Sequence, residues 1–357
     1  MQISALHLGN FRNFKEKKLD FENLMTIIVG SNAVGKTNIL EAINLLATGR
    51  SFKARREDEM VQEGEEVGRA NGIIDTDTDK DKDALEIVIV KNNSSGNKKR
   101  FFVNGVAKRL YNFAGILKVV LFGPWDMELV TESPSLRRRF LDSVLVQTDR
   151  EYTRSLLSYE KGLRQRNKLL ERIRDSEVSR SQLLFWDQLL IKNGEYLTSK
   201  REEFIEFVNN TPALNDQSFS LEYDKSIISP MRLEKYANEE VAAAKTLVGP
   251  HRDDMKFTTN DKRQTTSDKR DLAIFGSRGE QRMGVLWLKL AELSFIEEKT
   301  KVRPVLLLDD IFSELDHKHR DVVISIVGKQ QTIITTADPH TIEGFENMQV
   351  IQLMNSY

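Results

Sequence analysis

The sequence predicts an α/β protein: residues 1–134 and 246–357 form a head built on a mixed sheet, and residues 135–245 form a mainly helical second lobe. Three observations carry that expectation. Residues 30–37, Gly30-Ser31-Asn32-Ala33-Val34-Gly35-Lys36-Thr37, fit the pattern G-x-x-x-x-G-K-[ST] between a β-branched run and a helical one. An apolar run ending in acids, Leu306-Leu307-Leu308-Asp309-Asp310, lies near the other end of the chain, with Asp309 standing 272 residues after Thr37. Between them, residues 134–210 turn charged and leucine-rich, with apolar side chains at heptad-like spacing.

The loop comes first. Thr26-Ile27-Ile28-Val29 reads as a buried strand feeding it, and Ile39, Leu40, Ala42, Ile43, Leu46 and Ala47 recur at helical spacing after it. Gly30 and Gly35 allow backbone N–H groups to turn inward around phosphate oxygens, with the helix N-terminus adding its dipole. In such a loop Ser31, Asn32, Ala33 and Val34 line the phosphates, Lys36 reaches the β- and γ-phosphates, and the Thr37 hydroxyl ligates Mg²⁺. A glycine turn capping an ordinary helix is the bland alternative, and the flanking strand and helix weigh against it.

Composition narrows the class. A chain of 357 residues has room for two or three domains, and with no cysteine it has neither disulfides nor cysteine-ligated zinc. No apolar stretch approaches the roughly 20 residues that span a bilayer, and residues 1–10 lack a signal-like core, so a soluble cytoplasmic protein is expected. The net charge is −1, yet it is unevenly spread. Residues 1–56 carry nine bases against four acids, residues 57–83 eleven acids against three bases, and residues 135–180 twelve bases against seven acids. Basic faces of this kind suit a polyanion and suit ordinary solvated helices equally.

Along the chain, residues 84–90 and 100–103 read as a hairpin around the turn 92–97, which places an antiparallel sheet beside the nucleotide core. Leu156, Tyr159, Leu163, Leu170 and Ile173 fall on a/d-type spacing, with Arg166 at one d position. Leu183, Trp186, Leu190, Leu197, Phe204 and Phe207 repeat the spacing after the polar break at residues 175–181, which predicts a short antiparallel helical hairpin. Residues 231–245 read as one helix and 258–269 as a polar loop. The last block alternates helix 279–298, strand 305–308, helix 317–327 and strand 332–336, the order of a mostly parallel sheet.

Strand 305–308 ends as a Walker B strand does, making Asp309 the candidate metal ligand and Asp310 the candidate base that orients water. Ser277-Arg278-Gly279-Glu280 begins 32 residues before Asp309 (309 − 277), at a helix N-terminus where Ser277 and Gly279 offer a second phosphate site. An isolated segment of this type is usually a plain helix cap. Its distance from Asp309 favours the functional reading.

Together with these motifs, Phe11-Arg12-Asn13-Phe14, Glu41-Ala42-Ile43, Arg137-Arg138-Arg139-Phe140-Leu141-Asp142, Arg166-Asn167-Lys168-Leu169-Leu170, Gly249-Pro250-His251-Arg252-Asp253-Asp254 and residues 308–316 resemble the RecF family, bacterial replication and repair ATPases of the SMC/ABC-like class. The resemblance spans residues 1 to about 340. It implies a P-loop ABC-type ATPase head (lobe I), a helical arm (lobe II), ATP and Mg²⁺ as cofactors, and Arg12 among the nucleotide contacts. It also implies a head-to-tail, ATP-dependent homodimer on single-stranded or gapped DNA, with RecR and RecO mediators, in recombinase loading and SOS induction. Lys36 and Asp310 are then the catalytic candidates; Lys15, Lys17, Lys53, Arg55, Arg56 and Arg137 to Arg139 are basic candidates for DNA.

Three departures stand out. Ala33 occupies a position where many members carry glycine, and Gly123-Pro124-Trp125-Asp126 replaces the commoner Ser-Pro-Glu-Asp. Strand 332–336 ends in Thr335-Thr336 without the switch histidine of ABC transporters, His340 coming four residues later, so slow hydrolysis is expected. A transporter ATPase has a much shorter insert than the 240 residues between Thr37 and Ser277 (277 − 37), and an SMC tether needs long heptad arms that are missing.

Overall fold

The computed structural model describes residues 1–75, 82–91, 98–215, 217–260, 269–314, 317–338 and 347–354. The chain divides into two compact units, residues 1–126 with 292–357, and residues 127–291. The second unit thus holds the expected arm at 135–245 and also residues 246–291, Ser277 and Gly279 among them.

Strands of the first unit fall into two sheets. One is antiparallel, ordered β2-β1-β4-β5-β6-β7, from β1 (Gln2–Phe11), β2 (Phe14–Asp20), β4 (Val67–Asp75), β5 (Lys82–Val90), β6 (Lys98–Val103) and β7 (Val106–Lys108). The other is parallel throughout, ordered β14-β3-β13-β12-β8, from β3 (Met25–Val29), β8 (Val119–Phe122), β12 (Val305–Asp309), β13 (Thr332–Thr336) and β14 (Met348–Gln352). Their residues say why. In β4 buried Gly68, Ala70, Gly72 and Ile74 alternate with partly exposed neighbours, the period of a half-covered antiparallel strand. Strands β12 and β13 are buried at every residue, as parallel strands covered on both faces must be.

The helix Lys36–Thr48 supplies one of those covers. Eleven of its residues are buried, and Ile39, Leu40, Ile43 and Leu46 share one core with Leu6, Leu85 and Ile87 of the antiparallel sheet and Ile28, Leu307 and Ile333 of the parallel one. Truncating Leu40 or Ile43 to alanine there would cost about 2–5 kcal/mol. The helix stops at Gly49, at φ 70°, where an added Cβ would lie 2.1 Å from Leu110 Cδ1.

In the second unit, helices Arg150–Arg174 and Leu184–Asn209 form the expected hairpin, beside helix Pro134–Thr148 and the antiparallel sheet β11-β10-β9, from β9 (Phe219–Asp224), β10 (Asp254–Asn260) and β11 (Lys269–Asp271). The two helices approach closely at Gly162, where a Cβ would lie 2.6 Å from Leu189 Cδ2. Arg166, the charge at a d position, is buried. Its Nε donates to Asp187 Oδ1 at 2.7 Å, its Nη1 to Thr246 Oγ1 at 2.9 Å, and its Nη2 pairs with Glu240 Oε2 at 2.7 Å.

Two sequence expectations are corrected. The single helix over 231–245 is two short ones, Pro230–Lys235 and Ala237–Ala243, because the turn closes at Tyr236 (N–H to Arg232 O, 3.1 Å) and the chain leaves the helical region at Ala244, φ 51°. The polar segment 258–269 begins as strand, since Thr258 and Thr259 continue β10 against β9 and β11. The turn 92–97, His340 and Leu315-Asp316 lie outside the described residues.

Candidate nucleotide site

The parallel sheet brings the distant motifs together. Thr335 of β13 is the partner of both Ile28 of β3 and Asp309 of β12, so the carboxyl ends of the loop-bearing and acid-bearing strands flank one strand between them. That is the end of an open parallel sheet where ligands bind.

At the loop, Ala33 and Gly35 adopt left-handed conformations, φ 66° and 111°. Alanine at that angle is strained where glycine is not. Asn13 Nδ2 donates to the Val34 carbonyl at 2.9 Å, and Asn38 Nδ2 to Asn13 Oδ1 at 2.8 Å. A Cβ on Gly35 would lie 2.5 Å from Phe14 Cζ, so the turn between β1 and β2 presses directly on the loop. Lys36 Nζ donates to the carbonyls of Gly30 (2.6 Å) and Ser31 (3.0 Å). Burial pulls its pKa down, and the fields of Asp310 and then Asp309 oppose that shift.

Thr37 Oγ1 donates to Asp309 Oδ2 at 2.7 Å, and Thr335 Oγ1 donates to Asp309 Oδ1. Asp310 turns sharply at φ 48°, its N–H bonded to Thr335 O at 3.0 Å and Oγ1 at 3.2 Å. A hydroxyl and a carboxylate oxygen so close are hard donors that fit Mg²⁺, which takes one or two protein oxygens and completes its shell with phosphates and waters. Among the described residues no cluster of three or more His, Asp or Glu side chains would hold a metal alone.

In the second unit, Ser277 caps the helix Arg278–Thr300. Its Oγ accepts the Glu280 N–H at 3.3 Å, and Glu280 Oε2 accepts the Ser277 N–H at 2.8 Å. Those bonds, the backbone one first, hold the Glu280 carboxyl below the usual carboxylate range. A Cβ on Gly279 would meet nothing within 4 Å. The segment is a capping box with an open face at its glycine.

The chain is similar to known proteins over nearly its full length. The model of the "RecF/RecN/SMC N terminal domain" family matches residues 2–356. The DNA replication and repair protein RecF of Lachnoclostridium phytofermentans is 36% identical over 361 residues, covering 98% of this chain and 96% of that protein. The chain belongs to the RecF family. The RecF of Moorella thermoacetica is likewise 36% identical, over 95% of this chain and 90% of its own length. A solved structure of the recombination mediator protein RecF with ATP, of the RecFOR pathway, has a TM-score of 0.85 at 29% identity, covering 99% of this chain and 96% of that one. An Smc head bound to the C-winged helix domain of ScpA, at 17% identity and TM-score 0.52, shares the fold.

The remaining RecF-type motifs have definite places. Arg12 grips Glu41 with Nε (2.7 Å) and Nη2 (2.5 Å) and donates through Nη1 to the Glu59 carbonyl at 2.7 Å. Glu41 is fully buried and also accepts from Ser51 Oγ. Gly123 admits the Trp125 ring, 2.5 Å from where its Cβ would be; that ring stacks on Phe52 with centroids 4.7 Å apart. Asp126 Oδ2 accepts the Gly123 N–H at 2.8 Å.

Asp253 belongs to a buried knot, accepting from Arg201 Nη1 (2.9 Å), the Tyr223 hydroxyl and the Ser226 N–H (2.7 Å). Arg137, a basic candidate for DNA, is instead buried against Asp254 at 2.6 Å and donates to the Leu129 and Glu132 carbonyls. Arg138 donates to the Asp253 carbonyl at 2.7 Å. Lys15, Lys53, Arg55, Arg56 and Arg139 are exposed and Lys17 is half-buried. Lys53 Nζ donates to Asn38 Oδ1 at 3.2 Å, and Arg56 pairs with Asp58 at 2.7 Å. Asn13, Phe14 and Thr335 are not among the site residues expected from sequence. The first two stand in the quartet around Arg12, and Thr335 ends strand 332–336, where only the pairing of β12 with β13 sets it beside Asp309.

Proposed function

We propose that this chain is an ATP-gated DNA-binding protein of recombinational repair and replication-fork maintenance. The observation that carries the reading is the Thr37–Asp309 contact, which joins the phosphate loop to an acid 272 residues away. The solved RecF with ATP supports the nucleotide, and the curated RecF relatives support the role in replication and repair.

In this reading the loop N–H groups and the N-terminus of helix Lys36–Thr48 hold the phosphates. Lys36 exchanges its bonds to the Gly30 and Ser31 carbonyls for phosphate oxygens. Thr37 and Asp309 would hold Mg²⁺, which would supply positive charge to offset that of the phosphates. Asp310, fixed by its N–H bonds to Thr335, orients the attacking water. Because β13 ends in Thr335-Thr336 with no histidine there, hydrolysis is slow, and ATP acts as a clamp more than as a fuel.

Ser277 and the open face at Gly279 meet nucleotide held by a second copy, so ATP closes a homodimer on single-stranded or gapped DNA. Hydrolysis releases it. RecR- and RecO-type mediators would act with the dimer in recombinase loading and SOS induction, in the cytoplasm; among the described residues no helix is long and apolar enough to cross a membrane.

The test is retention of single-stranded, duplex and gapped DNA with and without ATP across a salt series. ATP should strengthen binding to the single-stranded or gapped substrate, and affinity should fall steeply with salt. Binding indifferent to ATP, or flat with salt, would sink the proposal.

A further inference from the structure

We infer that Thr335 is a positioning residue for the metal: its hydroxyl fixes the Asp309 carboxylate so that Oδ2 faces Thr37. The inference rests on the nucleotide reading above. Thr335 is fully buried and stands beside Asp309 in the parallel register of β12 and β13. Its Oγ1 has one proton to give. It goes to Asp309 Oδ1, because the alternative acceptor, the Leu308 carbonyl, lies 3.5 Å away, at the edge of hydrogen-bond reach. The two oxygens of Asp309 are therefore divided, Oδ1 to Thr335 and Oδ2 to Thr37 at 2.7 Å.

The same Oγ1 accepts the Asp310 N–H at 3.2 Å, so one hydroxyl also pins the turn that carries the candidate base. A buried carboxylate held through one oxygen presents the other in a single orientation, as the outer partners of metal-ligating carboxylates generally do. Without the hydroxyl, Oδ1 is left buried and under-satisfied, and the carboxylate gains rotational freedom. A threonine in an all-buried β-branched strand reads as packing, but a valine would pack as well and donate nothing.

Thr335→Val removes the donor at nearly constant volume, and Thr335→Ser restores it. Binding of a fluorescent ATP analogue by the full chain is followed while Mg²⁺ is titrated, and again in EDTA. The expected result is a Mg²⁺ midpoint raised about 10–100-fold in Thr335→Val, with Thr335→Ser close to wild type and nucleotide affinity in EDTA equal in all three chains. Retained binding in EDTA also reports that the variants are folded. A wild-type Mg²⁺ midpoint in Thr335→Val, or an equal shift in Thr335→Ser, overturns the assignment. A wild-type chain that binds no nucleotide in either condition overturns the ATP reading and this inference with it.

Discussion

Thr37 and Asp309 are joined by a 2.7 Å hydrogen bond although 272 residues separate them. The contact exists because β13 lies between β3 and β12 in one parallel sheet, aligning the three carboxyl ends. It makes the proposed nucleotide site depend on segments near both ends of the sequence.

Asp309→Asn keeps the shape and an acceptor for Thr37 but removes the charge. The Mg²⁺ concentration needed for tight nucleotide binding should rise at least about tenfold, while binding in EDTA persists. Isothermal titration with and without Mg²⁺ checks it. An unchanged Mg²⁺ requirement would remove Asp309 from the proposed metal site.

Arg12→Ala strands Glu41, fully buried in the helix after the loop. Losing one partner of a buried pair costs about 3–5 kcal/mol, whereas the double change Arg12→Met with Glu41→Leu should recover most of it. Urea denaturation midpoints decide the point. A loss under about 1 kcal/mol would mean that the pair is solvated.

Ala33→Gly relieves a left-handed alanine at φ 66°. Relief of about 1–2 kcal/mol is partly offset by the entropy of an added glycine, leaving a gain of about 0.5–1 kcal/mol. A fall in the urea midpoint would contradict the strain argument.

His251 is buried, with Nε2 3.0 Å from the Thr246 carbonyl and Nδ1 2.8 Å from the Tyr159 hydroxyl. A carbonyl only accepts, so Nε2 carries the proton and Nδ1 accepts from Tyr159. Burial, outweighing the raising effect of the Thr246 bond, pushes its pKa from 6.5 down to about 4. The unfolded chain binds that proton first. Its stabilising effect is complete above pH 6.5, is lost as the pH falls from 6.5 to about 4, and changes no further below that. The loss amounts to about 3 kcal/mol. Comparing the pH dependence of unfolding with that of His251→Gln isolates it from the carboxylates. Parallel curves across that window would refute the assignment.

The strand, loop and helix around residues 26–48 and the acid-ended strand at 305–310 were legible because local chemistry dictates them. The two long helices of the second unit were legible from their apolar spacing. What stayed hidden depends on pairing between distant segments. The division of strands between two sheets follows from which strands pair, and Thr335 meets Asp309 only through the register of β13. Arg166 interrupts an apolar stripe and is nonetheless buried, because Asp187, Glu240 and Thr246 converge on it from elsewhere in the chain. Arg137 looked like a surface base until Asp254 proved to be its partner.

Sedimentation velocity of the full chain, with and without Mg²⁺ and a slowly hydrolysed ATP analogue, tests whether nucleotide closes a dimer. The wild-type mass should double from 41.0 kDa when the analogue is present. Ser277→Arg should stay at the monomer mass while still binding the analogue. A wild-type chain that remains monomeric at saturating analogue, or a Ser277→Arg chain that dimerises as wild type does, would contradict it.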